Sequence, residues 1–312
     1  MSISVYRTID GWWAGSSDSV AHVETTATTT AALLADRAAI EAAVTSADRV
    51  ATATLELLSP VTAPCRVIAQ MTNFASHVLD TGGDPKTVPL TFFRKASGSI
   101  TGPYGDIVKP AHVRLLDYEV EIGLVIGRDV PVGTTITADN LADYVCGIVV
   151  TNDVSARDVQ LTKTQFYEAK SYPGFTPVGP ALVLLDADEM RRFDELRLQL
   201  KVNGQPRQDS TVKTDMIYRP VQALTALTRF QTLAAGDLVL TGTPVGTALS
   251  APPKAVQKVS GLLPDDLKWK LFFKGQAKNS NYLRDGDVVE ASVGTDDGKI
   301  ALGTQRNRIR FA

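Results

Sequence analysis

Glu119 and Glu121 alternate with apolar residues in the stretch Leu115 to Ile126, and Asp117 precedes them in the same phase. A β-strand points alternate side chains to opposite faces. Asp117, Glu119 and Glu121 therefore share one face, and Tyr118, Val120, Ile122 and Leu124 share the other. Three carboxylates side by side repel one another unless water or a cation screens them. Taken alone, this is first of all the wet side of a half-exposed strand.

A second apolar run, Cys146 to Thr151, leads into Asn152-Asp153-Val154-Ser155-Ala156-Arg157-Asp158. A strand end can aim a polar side chain into a cleft while the strand holds it rigid. Asp153 is thus a natural third carboxylate for Glu119 and Glu121, although Asn-Asp also caps turns and helices. Three monodentate oxygens leave open positions on a hard octahedral ion, which favours Mg2+ or Mn2+ over zinc. Lys170 lies in a stiff loop rich in Gly and Pro, where it can face an anionic substrate or simply be solvated. Thr241-Gly242-Thr243-Pro244-Val245-Gly246 ends another apolar run with small residues, which lets backbone approach a ligand or makes an ordinary turn. Of the histidines His22, His77 and His112, His77 is best placed to move a proton. Asp80 follows it at i+3, so on one helical turn the carboxylate could orient and charge the imidazole.

The elements that must hold these residues are mostly strands. Short apolar runs recur between Gly, Pro and Asn turns at 119–126, 145–151, 181–185, 197–203, 237–242, 287–293 and 300–303. Helical periodicity is credible at about 138–143, 187–195 and 219–230. Strand–helix alternation of a doubly wound sheet is missing, so the expected class is α+β and β-rich. Ser59-Pro60 and Pro64 mark a boundary near residue 62. The expected organisation is a small N-terminal α+β domain over 1–62 and a catalytic domain over 63–312. The former holds short strands and an alanine-rich helical stretch from Ala31, with Leu33, Ile40 and Val44 on one face.

Composition narrows the function. The net charge is −2 with the signs interspersed, so nothing resembles a nucleic-acid-binding tract. Arg306, Arg308 and Arg310 read as one strand face. Cys65 and Cys146 form no CxxC pair, which suits a reducing compartment. No signal peptide and no run of the ~18–20 apolar residues needed to span a bilayer is seen, so the expectation is a cytoplasmic protein without a membrane partner. GxGxxG, GxSxG, HExxH and the phosphate-binding Gly-Lys-Ser/Thr are absent, which counts against nucleotide binding, serine-hydrolase and zinc-protease chemistry.

Four ordered blocks together resemble the fumarylacetoacetate hydrolase superfamily: Asp117 to Glu121, Asn152 to Gln160, Lys170 through Pro180, and Thr241 to Pro244. The resemblance covers about 65–248 and 284–311. It implies a mixed β-sheet roll or barrel core and a homodimer. It implies Mg2+ or Mn2+ on Glu119, Glu121 and Asp153, substrate contacts from Arg157, Gln160 and Thr243, and Lys170 beside the substrate. Many relatives carry Asn-Tyr-x-x-His-x-x-Glu; here Asn73 to Asp80 has Phe74 for Tyr and Asp80 for Glu. The segment 249–282, with Ala251-Pro252-Pro253, Trp269 and Phe272-Phe273, is an insertion expected to pack beside the site or a dimer interface.

The expected reaction is metal-dependent hydrolysis of a carbon–carbon bond in a 1,3-diketo acid of acylpyruvate or fumarylacetoacetate type, with His77, Asp80 and Lys170 as catalytic groups. The alternative is decarboxylation, isomerisation or hydration of a 2-oxo acid or dienoate through a stabilised enolate. A non-catalytic metal- or ligand-binding role is the third reading.

Overall fold

The computed structural model describes residues 2–163, 166–250 and 265–312. Two sheets carry the fold. The larger has ten strands in the order Val50–Ala51, Ser19–His22, Gly11–Gly15, Ile3–Thr8, Leu182–Leu184, Val145–Asn152, Val120–Ile126, Leu238–Leu240, Val67–Met71 and Thr91–Lys95. All neighbours are antiparallel except Leu238–Leu240 and Val67–Met71, which run parallel. The smaller sheet runs Gln205–Thr211, Leu196–Val202, Val288–Thr295, Ala301–Phe311 and Ile107–Lys109. The class is α+β and strand-rich, as the spacing of apolar runs implies.

The acidic stretch differs from a half-exposed strand. Val120–Ile126 lies inside the large sheet between Val145–Asn152 and Leu238–Leu240, and all seven of its residues are buried. Val120, Ile122 and Leu124 pack into one apolar layer, and Val125 into the layer on the opposite face. Regular pairing stops before Val120: Leu116–Asp117 forms a separate two-residue strand against Ser155–Ala156. Tyr118 and Glu119 bridge the two strands.

The sheet also runs across the boundary read near residue 62. Ile3–Thr8 pairs with Leu182–Leu184, so the first four strands extend the large sheet. Val5, Trp12, Leu33 and Ile40 share one core layer with Val125, Val149, Leu182 and Leu238. Residues 2–62 thus complete the core of the main sheet. The alanine-rich stretch there is two helices, Thr30–Ala35 and Arg37–Thr45, broken at Asp36.

The three periodic segments are helical: Leu141–Tyr144, Ala187–Arg191 with a following 3-10 turn, and Pro220–Thr228. Gln205–Thr211 is a strand with no counterpart in the apolar pattern. Its signal was Asn203-Gly204, both at positive φ, the dipeptide that closes two-residue hairpins. Arg306, Arg308 and Arg310 are exposed on one face of Ala301–Phe311. In the 249–282 insertion, Asp265–Gln276 is a helix, whereas Ala251-Pro252-Pro253 and the Trp269 side chain lie outside the described residues.

Gly147 shows how closely the strands beside the site approach. A Cβ there would sit 2.3 Å from the Val183 carbonyl oxygen and 3.0 Å from Leu184 Cα, both backbone atoms. Gly147→Ala is therefore expected to destabilise the fold by about 1–3 kcal/mol. Its thermal midpoint, compared with wild type, measures this.

Candidate active site

Beyond the strand Val120–Ile126, seven charged side chains converge on a buried cluster. Asp117, Glu119, Glu121 and Asp153 supply four carboxylates; Lys95, Arg157 and Lys170 supply three cations, and all are buried. Arg157 donates Nε to Asp117 Oδ2 at 2.8 Å, a terminal nitrogen to Glu119 Oε1 at 2.5 Å, and the other to Gln160 Oε1 at 2.8 Å. Lys170 Nζ bridges Glu119 Oε2 and Asp153 Oδ2, at 2.7 Å each. Lys95 Nζ holds the other oxygen of Asp153 and the Phe175 carbonyl. Among the described residues Glu121 has no cation of its own, and it accepts the Gly242 N–H at 2.6 Å.

The electrostatics follow from these contacts. Burial alone would raise the Glu119 carboxyl, but Lys170 and Arg157 hold it down to about 2. Burial raises Glu121 well above the usual carboxylate range, and the charges of Asp153 and Glu119 push it the same way. Burial likewise lowers the Lys95 ammonium, against the pull of Asp153. One carboxylate in the cluster is therefore short of positive charge.

Glu119, Glu121, Asp153, Arg157, Gln160, Lys170, Thr243 and His77 line one cavity of about 190 Å3, whose apolar wall includes Phe93, Leu161 and Leu249. Of the residues expected to be catalytic, substrate-binding or metal-binding, Asp80 is the one that does not line it. His77 Nδ1 has no hydrogen-bond partner among the described residues, so the His77–Asp80 pair expected from i,i+3 spacing is not formed at that nitrogen. The aspartate carries one methylene and ends its helix, and side-chain bases at that spacing stand ~5–6 Å apart. Burial lowers the His77 imidazole below its ordinary value, and the charges that act on it are those of Glu119, Arg157, Lys170 and Asp117.

Comparison with known proteins follows the same lines. Residues 66–310 match the family described as fumarylacetoacetate (FAA) hydrolase, C-terminal. The chain belongs to the fumarylacetoacetate hydrolase family. It is 36% identical over 202 residues to a mitochondrial oxaloacetate tautomerase of Rattus norvegicus, covering 64% of this chain and 62% of that relative. It is 32% identical over 251 residues to a 2,4-didehydro-3-deoxy-L-rhamnonate hydrolase of a Sphingomonas strain, covering 80% of this chain and 75% of that one. The structure of a probable 2-hydroxyhepta-2,4-diene-1,7-dioate isomerase from Mycobacterium abscessus superimposes with a TM-score of 0.76, at 26% identity, over 100% of this chain and 99% of that one. The family thus includes relatives named for tautomerisation, hydrolysis and isomerisation.

In this family member the donor set fits a divalent cation. One carboxylate oxygen from each of Glu119, Glu121 and Asp153 lies within 4.8 Å of the others, and all three residues are buried. Hard oxygens around a charge-deficient centre suit a hard divalent cation. Asp117 has a different task. Its carboxylate takes Arg157 Nε, its Oδ1 also takes the Tyr118 and Ala248 amides, and its Oδ2 the Leu249 amide. It thereby pins Arg157 and the start of the insertion, whose Leu249 lines the cavity.

Two buried groups escaped the reading from sequence. Lys95 ends the strand Thr91–Lys95, and a polar residue at a strand end is the signal that pointed to Asp153. Gln208 accepts the Val120 N–H and donates to the Thr243 hydroxyl and the Pro244 carbonyl, at 3.0, 2.8 and 2.8 Å. The Thr243 hydroxyl donates in turn to the Val120 carbonyl at 2.9 Å, which fixes the turn against the acidic strand.

Adding Mn2+ at a hundred times its dissociation constant is expected to stabilise the wild type by about 2.7 kcal/mol. Glu121→Gln should remove that shift while leaving metal-free stability equal or higher, because the buried carboxyl is replaced by a neutral isostere. Thermal melts with and without Mn2+ read both effects.

Proposed function

We propose that this chain is a divalent-metal-dependent enzyme that moves a proton at the carbon beside the keto group of a small 2-oxo acid, interconverting its keto and enol forms. The observation that carries this is His77, buried, with its pKa lowered, and facing the carboxylate cluster and Lys170 without Asp80 at its Nδ1. A lowered pKa leaves the imidazole neutral at pH 7, the form that accepts a proton.

The cation, when bound by Glu119, Glu121 and Asp153, supplies a Lewis acid for the keto oxygen and makes the adjacent C–H acidic. The chain's own groups do the rest. Four carboxylates face three cations, so with a dication the cluster carries one positive charge in excess, which the substrate carboxylate neutralises. Lys170 gives two of its three N–H bonds to Glu119 and Asp153 and has the third for the oxygen on which negative charge develops. In the keto-to-enol direction His77 takes the proton from C3 and delivers it to the former keto oxygen; in the reverse direction it takes the enol proton and delivers it to C3. Phe93, Leu161 and Leu249 limit water on the apolar side of the cavity.

Carbon–carbon hydrolysis of a 1,3-diketo acid is the second reading, favoured by the match to the Sphingomonas hydrolase over the longer part of this chain. It asks more of His77, which must also activate a water, and among the described residues no carboxylate supports it at Nδ1. Mg2+ or Mn2+ as the cation, a homodimer as the working form and a cytoplasmic setting belong to the same proposal, the homodimer on the family resemblance and the cytoplasmic setting on the sequence expectation. Among the described residues no helix is long and apolar enough to cross a membrane.

With Mn2+ present, the protein is expected to accelerate keto–enol equilibration of oxaloacetate and to incorporate deuterium at C3 from heavy water. His77→Ala should slow both by about 10^2–10^4-fold. Because burial lowers the His77 pKa, protonation sets in, and the rate falls, only below the ordinary histidine value of 6.5. Cleavage of an acylpyruvate with no effect on oxaloacetate would move the assignment to the hydrolase.

A further inference from the structure

His77 stands on a six-residue helix, Ala75–Asp80, that does not cap itself: the N-cap residue, Phe74, has no side-chain hydrogen bond. The first-turn N–H groups of a helix have no partner within it. Here the Ser76 N–H donates to Asp215 Oδ1 at 2.7 Å, and the Ser76 hydroxyl donates to Asp215 Oδ2 at 2.5 Å. Asp215 is 8% exposed and also accepts the Ser210 hydroxyl at 2.8 Å. Ser76 Oγ accepts in its turn the Val245 N–H at 3.1 Å. One carboxylate thus joins the helix of His77, the strand Gln205–Thr211 and the turn that holds Thr243.

The residues that follow Asp215 reinforce the joint. Phe74 bridges to Met216, the Ile217 N–H donates to the Asn73 carbonyl at 2.8 Å, and the Asn73 side chain pairs with the Tyr218 backbone. Asp215 does not line the cavity, and among the described residues His77 Nδ1 has no partner to set the ring. The helix backbone is what aims the imidazole.

We propose that Asp215, acting through Ser76, is the positioning residue that holds His77 over the cavity, and so governs proton transfer without holding the metal or the substrate. The proposal rests on His77 as the proton carrier. Proton transfer needs heavy atoms about 2.6–3.2 Å apart, and a displacement of ~1 Å can cost on the order of 10^2 in rate.

The test uses the full chain with Mn2+, in the single variants Asp215→Ala and Ser76→Ala, their double variant, and Ser76→Thr, which keeps the hydroxyl. Deuterium incorporation into oxaloacetate gives kcat and KM; Mn2+-induced thermal shifts report the metal site; amide exchange read by mass reports residues 75–80. Each alanine variant is expected to lose about 10–100-fold in kcat, with KM within about threefold and the Mn2+ shift retained. The amides of 75–80 should exchange faster. The double variant should be no worse than the poorer single one, since the two residues act as a unit, and Ser76→Thr should keep wild-type kcat. A folded Asp215→Ala with unchanged kcat overturns the proposal. So do additive losses, or a rise in KM and a loss of the Mn2+ shift that accompany the fall in kcat. If the wild type exchanges no proton at all, the functional reading fails; the tether is then decided by amide exchange, and unchanged protection of 75–80 in Asp215→Ala overturns it.

Discussion

Burying four carboxylates inside a protein is only tolerable if cations are buried with them, and the chain is arranged to satisfy that condition. Two unit charges 4 Å apart interact by about 4 kcal/mol at the effective dielectric of a protein site. Removing one partner of a buried pair costs roughly 3–5 kcal/mol, because the other charge is left without compensation. Arg157 and Lys170 each touch two carboxylates, and Lys95 approaches Asp153 from the side that Lys170 leaves open. Glu121 is the exception. Backed among the described residues by the Gly242 amide alone, it is the point at which the cluster is built to receive a further positive charge.

These contacts explain much of the architecture around them. Glu121 belongs to a central strand paired on both sides, so its position is fixed by the sheet. Asp153 follows the neighbouring strand, with its N–H donating to the Glu119 carbonyl at 2.8 Å. Asp117 converts a charge on Arg157 into an anchor for the 248–249 backbone, and Gln208 ties Thr243 to the acidic strand. The rigid half of the site is therefore the half that would hold the cation and the substrate's acidic end. The imidazole comes from a different construction, a short helix fastened from the far side of the sequence. That division suits an active site in which binding and proton transfer can be altered separately.

Several of these parts could be recognised from local pattern. Glu119, Glu121 and Asp153 stand at the ends of apolar runs, Lys170 in a stiff loop, and the four blocks follow one another in order. The helices near 141, 187 and 220 follow from periodicity and capping, as the Asp186–Glu189 capping box shows. Other parts could not. Lys95 looks like any strand-end lysine until the sheet carries it to Asp153. Asp215 looks like a solvated residue in a polar segment until Ser76, far off in sequence, is laid against it. For Asp80 the spacing along a helix says which side chains share a face and not whether a short one reaches, and it forms no hydrogen bond with His77 Nδ1.

The sequence by itself determined the residue types of the site, the strand-rich class and the periodicity of the main elements. These depend on neighbours a few positions apart. Tertiary structure decided which carboxylates are buried, which cations meet them, that residues 2–62 complete the main sheet, and that His77 Nδ1 finds no partner among the described residues. Those outcomes depend on contacts between distant segments, where burial and pairing of charge are settled by the whole fold and not by any one stretch of chain.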